Sequence, residues 1–115
     1  DLAALIRATP PERVVANWSY DIEPLPQLVA GRVALIGDAG HAMSSSQARG
    51  MTAGLEDAVC LARQLASSPD APASALLAYE AERLPVVHRY QERSRAISAR
   101  TGRIRAPQQP APMAR

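Results

Sequence analysis

The densest chemistry in this sequence lies where small residues and carboxylates alternate. Gly37-Asp38-Ala39-Gly40-His41 is followed, nine residues past the histidine, by Gly50-Met51-Thr52-Ala53-Gly54, and then by Leu55-Glu56-Asp57-Ala58. An apolar run precedes this segment and a helical periodicity follows it. Such a strand–loop–helix junction brings a carboxylate and free backbone N–H groups to one spot. Ligands of open α/β sheets sit beyond the carboxyl ends of strands. Gly37 lets the backbone turn sharply and lets a ligand approach closely. An ionised Asp38 accepts hydrogen bonds from hydroxyls, as on a ribose or ribityl chain, each worth about 1.5–3 kcal/mol. The helix start near Gly50-Met51 offers unpaired N–H groups and a positive dipole end. That end favours an anion by about 0.3–1 kcal/mol. The anion is either a phosphate or the delocalised charge of a reduced flavin ring.

Two absences narrow the choice. The loop has no Lys-Ser/Thr pair of the Walker type, and the chain has no GxGxxG. A hydroxyl-rich linker and an electron-rich ring therefore suit the junction better than a primary phosphate cradle. On residue types alone a plainer reading stays open, with Gly37 and Asp38 shaping a turn and Ser44-Ser45-Ser46 forming a solvated loop.

The elements that must position these residues are legible in outline. Val33-Ala34-Leu35-Ile36 is apolar on both faces, as for a strand buried between two layers. From Met51 to Ala66, apolar residues at Met51, Leu55, Ala58, Val59, Ala62 and Leu65 fall three and four apart and predict a helix. Ser67 to Pro72 ends it. Ala73 to about Arg100 is a second helical pattern, which Pro85 should kink or split. Upstream, Leu2 to Ala8 reads as a helix end stopped by Thr9-Pro10-Pro11. Val14 to Tyr20 is β-prone, and Asp21 to Ala30, with Pro24 and Pro26, reads as an irregular connection. The proline-rich tail from Arg105 is expected to be disordered.

Composition sets limits. The 115 residues suffice for one small domain, and 47% are apolar. No apolar run approaches the ~20 residues of a membrane span. A secretory leader is absent from the first residues, and the start without Met suggests a piece of a longer protein. The single cysteine, Cys60, excludes an internal disulfide, fits a cytoplasmic setting and lies where core packing is expected. All 13 basic residues are Arg. Seven of them fall after His88, where Glu92 is the only acid. That basic end lacks the interleaved aromatics of a nucleic-acid surface, so a solvated or partner-facing helix end is expected instead. No metal-ligand spacing is present.

The order of these segments resembles a known family. Gly37-Asp38-Ala39-Gly40-His41, Gly50-Met51 and Asp57-Ala58…Leu61-Ala62 look like the second FAD-binding motif of the para-hydroxybenzoate hydroxylase-like flavin monooxygenases. The approach through Trp18…Tyr20-Asp21-Ile22-Glu23-Pro24 and Gly31-Arg32-Val33 is similar to theirs. So is Tyr79-Glu80-Ala81-Glu82-Arg83-Leu84-Pro85, which resembles their Tyr-Glu-x-x-Arg-x-Pro helix. The resemblance covers nearly the whole chain to about Arg105.

It implies an α/β fold class: the C-terminal fragment of a GxGxxG-type FAD-binding fold, mostly helical by residue count. One buried strand would lead into a helix, followed by a long Pro-kinked helix. Residues 1–30 would end a substrate-domain-like segment, 31–105 would complete the FAD-binding domain, and 106–115 would be tail. Gly37, Asp38 and Ala39 would lie at the cofactor, Asp38 accepting a hydrogen bond from the FAD ribityl chain. Gly50, Met51 and Thr52 would bring their backbones to the pyrimidine edge of the flavin. NAD(P)H would be the co-substrate and an aromatic small molecule the substrate, with catalysis requiring the N-terminal part of the same enzyme. This portion alone would be inactive. A reductase, halogenase or epoxidase relative of the same superfamily stays open, as does a non-catalytic helical interaction piece with a basic end.

The sequence departs from the family where Ser45 replaces a usual Pro, Gln47 and Ala48 replace glycines, and Thr52 replaces a usual Asn. A non-glycine at positive φ costs roughly 1–2 kcal/mol, so the loop is expected to take a different path, with Met43 to Ser46 either lining an altered active site or forming a relaxed loop. The remaining candidates have two readings each. His41 bonds the loop behind it or reaches nicotinamide or substrate. Asp57 pairs with an Arg or a backbone group at the helix–sheet interface, or has an indirect role at the cofactor. Arg49 faces solvent or touches a ligand. Trp18 and Tyr20 are core residues or face the substrate cavity, and His88 is packing or surface.

Overall fold

In the computed structural model, residues 1–15 and 19–100 are described. Two long helices make the frame: α3 spans Gly50–Ser67 and α4 spans Pro72–Arg100. Pro72 stands at the first position of α4, where a missing N–H costs nothing. The helices run antiparallel, since Arg63 meets Glu82 near the turn while Arg49 meets Tyr90 at the far end. Pro85 does not split α4, which continues through it as one helix. Its position toward solvent, with Ala81 exposed, lets water take the carbonyl that Pro85 cannot bond.

A small antiparallel hairpin packs on this frame. Its strands are β1, Val29–Ala30, and β2, Val33–Ala34, in the register Val29↔Ala34 and Ala30↔Val33. Gly31 turns between them at φ +60°, and Leu35 N–H extends the pairing to Leu28 O at 2.8 Å. The core consists of Leu28, Val29, Cys60, Leu76, Tyr79 and Val87, with Ala34, Leu61 and Leu84 packed against it. Cys60 is thus a core residue, as expected, and burial pushes its thiol pKa up.

α4 holds the hairpin and the connection before it with polar side chains. The Glu80 carboxylate accepts from both Leu28 N–H and Val29 N–H at 2.6 Å. The buried Tyr79 hydroxyl donates to Leu35 O at 2.8 Å. Further along, His88 Nε2–H donates to Leu25 O, and Gln91 donates to Ile22 O and Ala42 O. Arg95 then grips Asp21, Glu23 and the Ile22 carbonyl. The connection is irregular over residues 21–28, as expected, but tied down as a strap, and β1 forms at its end.

Three expectations need correction. The strand at 33–36 is not buried between layers: β2 is two residues long, and Val33 and Ile36 are exposed, because no second layer covers that side among the described residues. Val14, Val15, Ser19 and Tyr20 form no strand, having no strand beside them to pair with among the described residues; Ala16, Asn17 and Trp18 lie outside those residues. Tyr20 is exposed rather than in a core.

The face that α3 turns to its own chain is also not its apolar one. Buried on α3 are Ala53, Asp57 and Cys60. Met51, Leu55 and Val59, one helical turn apart, are 81%, 62% and 70% exposed. α1, Leu2–Ala8, is capped by the Asp1 side chain on Ala3 N–H and stopped at Thr9, but buries nothing. The proline-rich tail lies outside the described residues. No helix among the described residues is long and apolar enough to cross a membrane.

Candidate functional site

The junction is built on a buried carboxylate. Gly37 adopts φ +57°, ψ −142°, a conformation that side chains oppose. It caps a single helical turn, α2, Asp38–His41, accepting from Gly40 N–H and His41 N–H at 3.0 Å. Its own N–H donates to Asp57 Oδ2 at 2.9 Å. The same oxygen accepts from His41 Nε2 at 2.5 Å, while Arg83 Nε donates to Asp57 Oδ1 at 2.7 Å. Arg83 also reaches Glu56 at 2.9 Å and the Ala53 carbonyl at 3.4 Å. One fully buried carboxylate thus ties α2, α3 and α4 together. Burial works to raise the Asp57 pKa, but the bonds from His41, Gly37 N–H and Arg83 prevail and hold it below the usual carboxylate value.

This network sets the position of the two features that face outward. Gly37 backs directly onto Gly54, and a Cβ on Gly54 would come within 3.4 Å of Gly37 Cα. That approach places Asp38, at the start of α2, beside the start of α3. A Cβ at Gly50 would stand 3.8 Å from Asp38 Oδ1. The first helical bond of α3 runs from Ala53 N–H to Arg49 O at 2.8 Å. Arg49 offers no side-chain cap, and the N–H groups of Gly50, Met51 and Thr52 have no acceptor among the described residues. Within those residues, a carboxylate without a hydrogen-bond partner and three unpaired donors therefore share one glycine-lined surface.

Gly37, Asp38, Gly50, Met51 and Thr52 are brought together as the sequence predicts, with Ala39 exposed on α2. The expectation for Asp57 holds on both counts, an Arg and a backbone N–H. His41 is buried in a structural role, but its bond goes to Asp57 on α3 rather than to the loop behind it; its Nδ1 has no partner among the described residues. Arg49, partly exposed, stacks on the Tyr90 ring at 4.6 Å, donates to the Tyr90 hydroxyl and pairs loosely with Glu56 at 3.4 Å. His88 is packing. In the loop, Ala48 sits at φ +53° in the left-handed region.

Sequence reasoning missed the serines. Ser44 and Ser46 in the loop meet Ser94 and Ser98 on α4 through hydroxyl contacts of 2.5–3.0 Å. The available signal is two serines four apart inside a helix, where serine is a poor former and needs a reason to be buried. Among the described residues, no group of three His, Cys, Asp or Glu can hold a metal ion.

This chain belongs to the FAD binding domain family of FAD-dependent aromatic hydroxylases, which it matches over residues 9–94. It is 46% identical over 86 residues to 3-hydroxybenzoate 6-hydroxylase 1 of Aquipseudomonas alcaligenes, covering 71% of this chain and 22% of that one. It is 44% identical over 79 residues to the FAD-dependent urate hydroxylase of Klebsiella pneumoniae, covering 69% and 20%. With a salicylate hydroxylase of Pseudomonas putida it shares 48% over 69 residues, covering 59% and 15%. The chain thus spans about a fifth of the length of these curated relatives. No solved structure matches it significantly.

Proposed function

We propose that this chain is the flavin-facing C-terminal portion of an FAD-dependent monooxygenase that hydroxylates an aromatic or polyketide-like substrate with NAD(P)H and O2. The observation that carries the reading is the Asp38 carboxylate beside the unpaired N–H groups of Gly50, Met51 and Thr52. The donor set fits FAD: a lone carboxylate suits the hydroxyls of the ribityl chain, and N–H groups on a helix start suit the electron-rich edge of the ring. The glycine at position 50 leaves room for both.

When bound, FAD supplies the redox chemistry, in which NAD(P)H, a proton, O2 and an aromatic C–H become NAD(P)+, an aromatic C–OH and water. The chain's own residues orient and stabilise. Asp38 holds the linker by a charge-assisted bond. The start of α3 supplies positive potential from fixed dipoles, which need no reorganisation when charge appears. Gly37 and Asp57 fix the distance between these two, because Asp57 sits on α3 and binds the Gly37 N–H.

The test is Asp38→Ala in the full-length protein. Flavin absorbance per protein is expected to fall, along with FAD-dependent NAD(P)H oxidation, by about tenfold in FAD affinity for the loss of one charge-assisted bond. Unchanged flavin content would remove the ribityl assignment.

A further inference from the structure

Resting on that reading, we propose that Ser94 and Ser98 of α4 are positioning residues for the flavin-facing turn at Gly50–Thr52. They act through a hydroxyl cluster that clasps the Ser44–Arg49 segment and so sets where α3 begins.

Both serines lie on one face of α4, four residues apart, and both are buried. Serines inside helices usually point to solvent or bond back to their own helix. Here Ser94 Oγ–H donates to the Ser44 carbonyl at 2.7 Å. Ser44 Oγ lies 2.8 Å from Ser94 Oγ, 2.7 Å from Ser98 Oγ and 3.0 Å from Ser46 Oγ. Ser46 and Ser98 close the ring at 2.5 Å. The clasp continues along the segment. Gln47 Nε2 donates to the Tyr90 carbonyl at 2.7 Å, and Arg49 stacks on the Tyr90 ring. Four side chains between positions 44 and 49 thus fasten to α4, and the residue after Arg49 is the first of α3.

Two arguments make the clasp more than ordinary packing. Ala48 is left-handed at φ +53°, a strain of roughly 1–2 kcal/mol. Such strain persists only where the surroundings over-determine the backbone, and the clasp flanks Ala48 on both sides. The protons also count out in a particular way. The five contacts draw on four hydroxyl protons, since each serine carries one. Ser94 commits its proton to the Ser44 carbonyl, so Ser44 is the donor in its contact with Ser94 and can only accept from Ser46 or Ser98. The hydroxyls of Ser46 and Ser98 then serve the three remaining contacts with two protons, which couples both to Ser44.

The experiment uses the full-length protein. Ser94→Ala/Ser98→Ala is compared with Arg95→Ala, which sits between them but faces Asp21 and Glu23. The measurements are FAD Kd on the apoprotein, the visible flavin spectrum, thermal midpoint, and exchange of the Ala53 amide, which bonds Arg49 O. The double variant is expected to raise FAD Kd about tenfold, shift the flavin spectrum and speed exchange at Ala53. Arg95→Ala is expected to lower the thermal midpoint while leaving Kd within about twofold. A double variant with unchanged Kd, spectrum and exchange overturns the proposal. So does an Arg95→Ala variant that raises Kd equally at an equal loss of midpoint. Should the double variant not fold, Ser98→Ala alone, which leaves three contacts for three protons, takes its place: a raised Kd with faster exchange supports the clasp, and no change in either overturns it. A wild-type protein that binds no FAD refutes the cofactor reading instead; amide exchange at Ala53 then decides the positioning by itself, faster exchange supporting it and unchanged exchange refuting it.

Discussion

Replacing Arg83 by Leu should destabilise the protein by about 3 kcal/mol, the low end of the roughly 3–5 kcal/mol seen when a buried ion pair loses one partner. The structure explains why the low end applies. The guanidinium makes three contacts: to Asp57 at 2.7 Å, to Glu56 at 2.9 Å and to the Ala53 carbonyl at 3.4 Å. Glu56 is partly exposed and turns to water and Tyr90 when Arg83 is gone. Asp57 is fully buried, yet it keeps His41 and the Gly37 N–H on its other oxygen. Only Asp57 Oδ1 is orphaned. Urea unfolding of the full-length protein at pH 7, followed by far-UV circular dichroism, measures the loss. Asp57→Asn and the double variant complete a cycle. Because both side chains act on one bond, the double variant should cost less than the sum of the singles by at least about 1 kcal/mol. A single-variant loss under about 1 kcal/mol, or singles that add, would refute the claim that this pair holds α3 against α4.

Other consequences are open to direct measurement. Ala48→Gly should raise stability by about 0.5–1 kcal/mol, because relief of left-handed strain outweighs the entropy of a glycine; a lower urea midpoint would contradict this. Asp57 has a depressed folded-state pKa, so its stabilisation is complete above the unfolded value near 3.9 and is lost as pH falls through the folded value. The stability gap between wild type and Asp57→Asn should therefore narrow below about pH 4, and a gap that stays constant on acidification through that range would disprove it. Gly40→Ala places a Cβ 2.9 Å from Leu28 Cδ2 and 3.2 Å from Leu35 Cβ. The leucine tip can shift but the Cβ beside the backbone cannot, so a loss of about 1 kcal/mol or more is expected, against the gain that alanine brings to an open helix; an unchanged urea midpoint would show that the hairpin yields instead.

Much of the site is legible in the sequence because its residues act locally. Gly37, Asp38 and Gly50 to Thr52 lie within one strand–turn–helix stretch, and turn chemistry and helix polarity are properties of adjacent residues. Asp57 is legible because a carboxylate inside a buried helical face demands partners. The limits of α3 and α4 follow from periodicity and from Pro72. What escapes is set by residues far apart in the chain. Glu80 serves the N–H groups of Leu28 and Val29, about fifty residues away, and no local pattern marks such an acceptor. The serines of α4 look like neutral surface residues until the loop folds over them. The stripe Met51–Leu55–Val59 is evident as a period but not as a direction. Periodicity shows that a helix has an apolar side, whereas the tertiary partner decides which way that side points. Pro85 does not split α4, since a proline toward solvent lets water replace the lost intrahelical bond.

The strap along α4 works as a gauge. Its ties run against the direction of the helix: Asp21 to Glu23 are held by Arg95, Ile22 also by Gln91, Leu25 by His88, and Leu28 and Val29 by Glu80. Each step of the strap toward the hairpin is thus a step back toward the start of α4. A one-residue deletion between Asp21 and Leu28 would put the later ties out of phase with the earlier ones, pulling the hairpin, and with it Gly37, along the axis of α4. Length variation in homologous chains should accordingly be rarer between Asp21 and Leu28 than before Asp21.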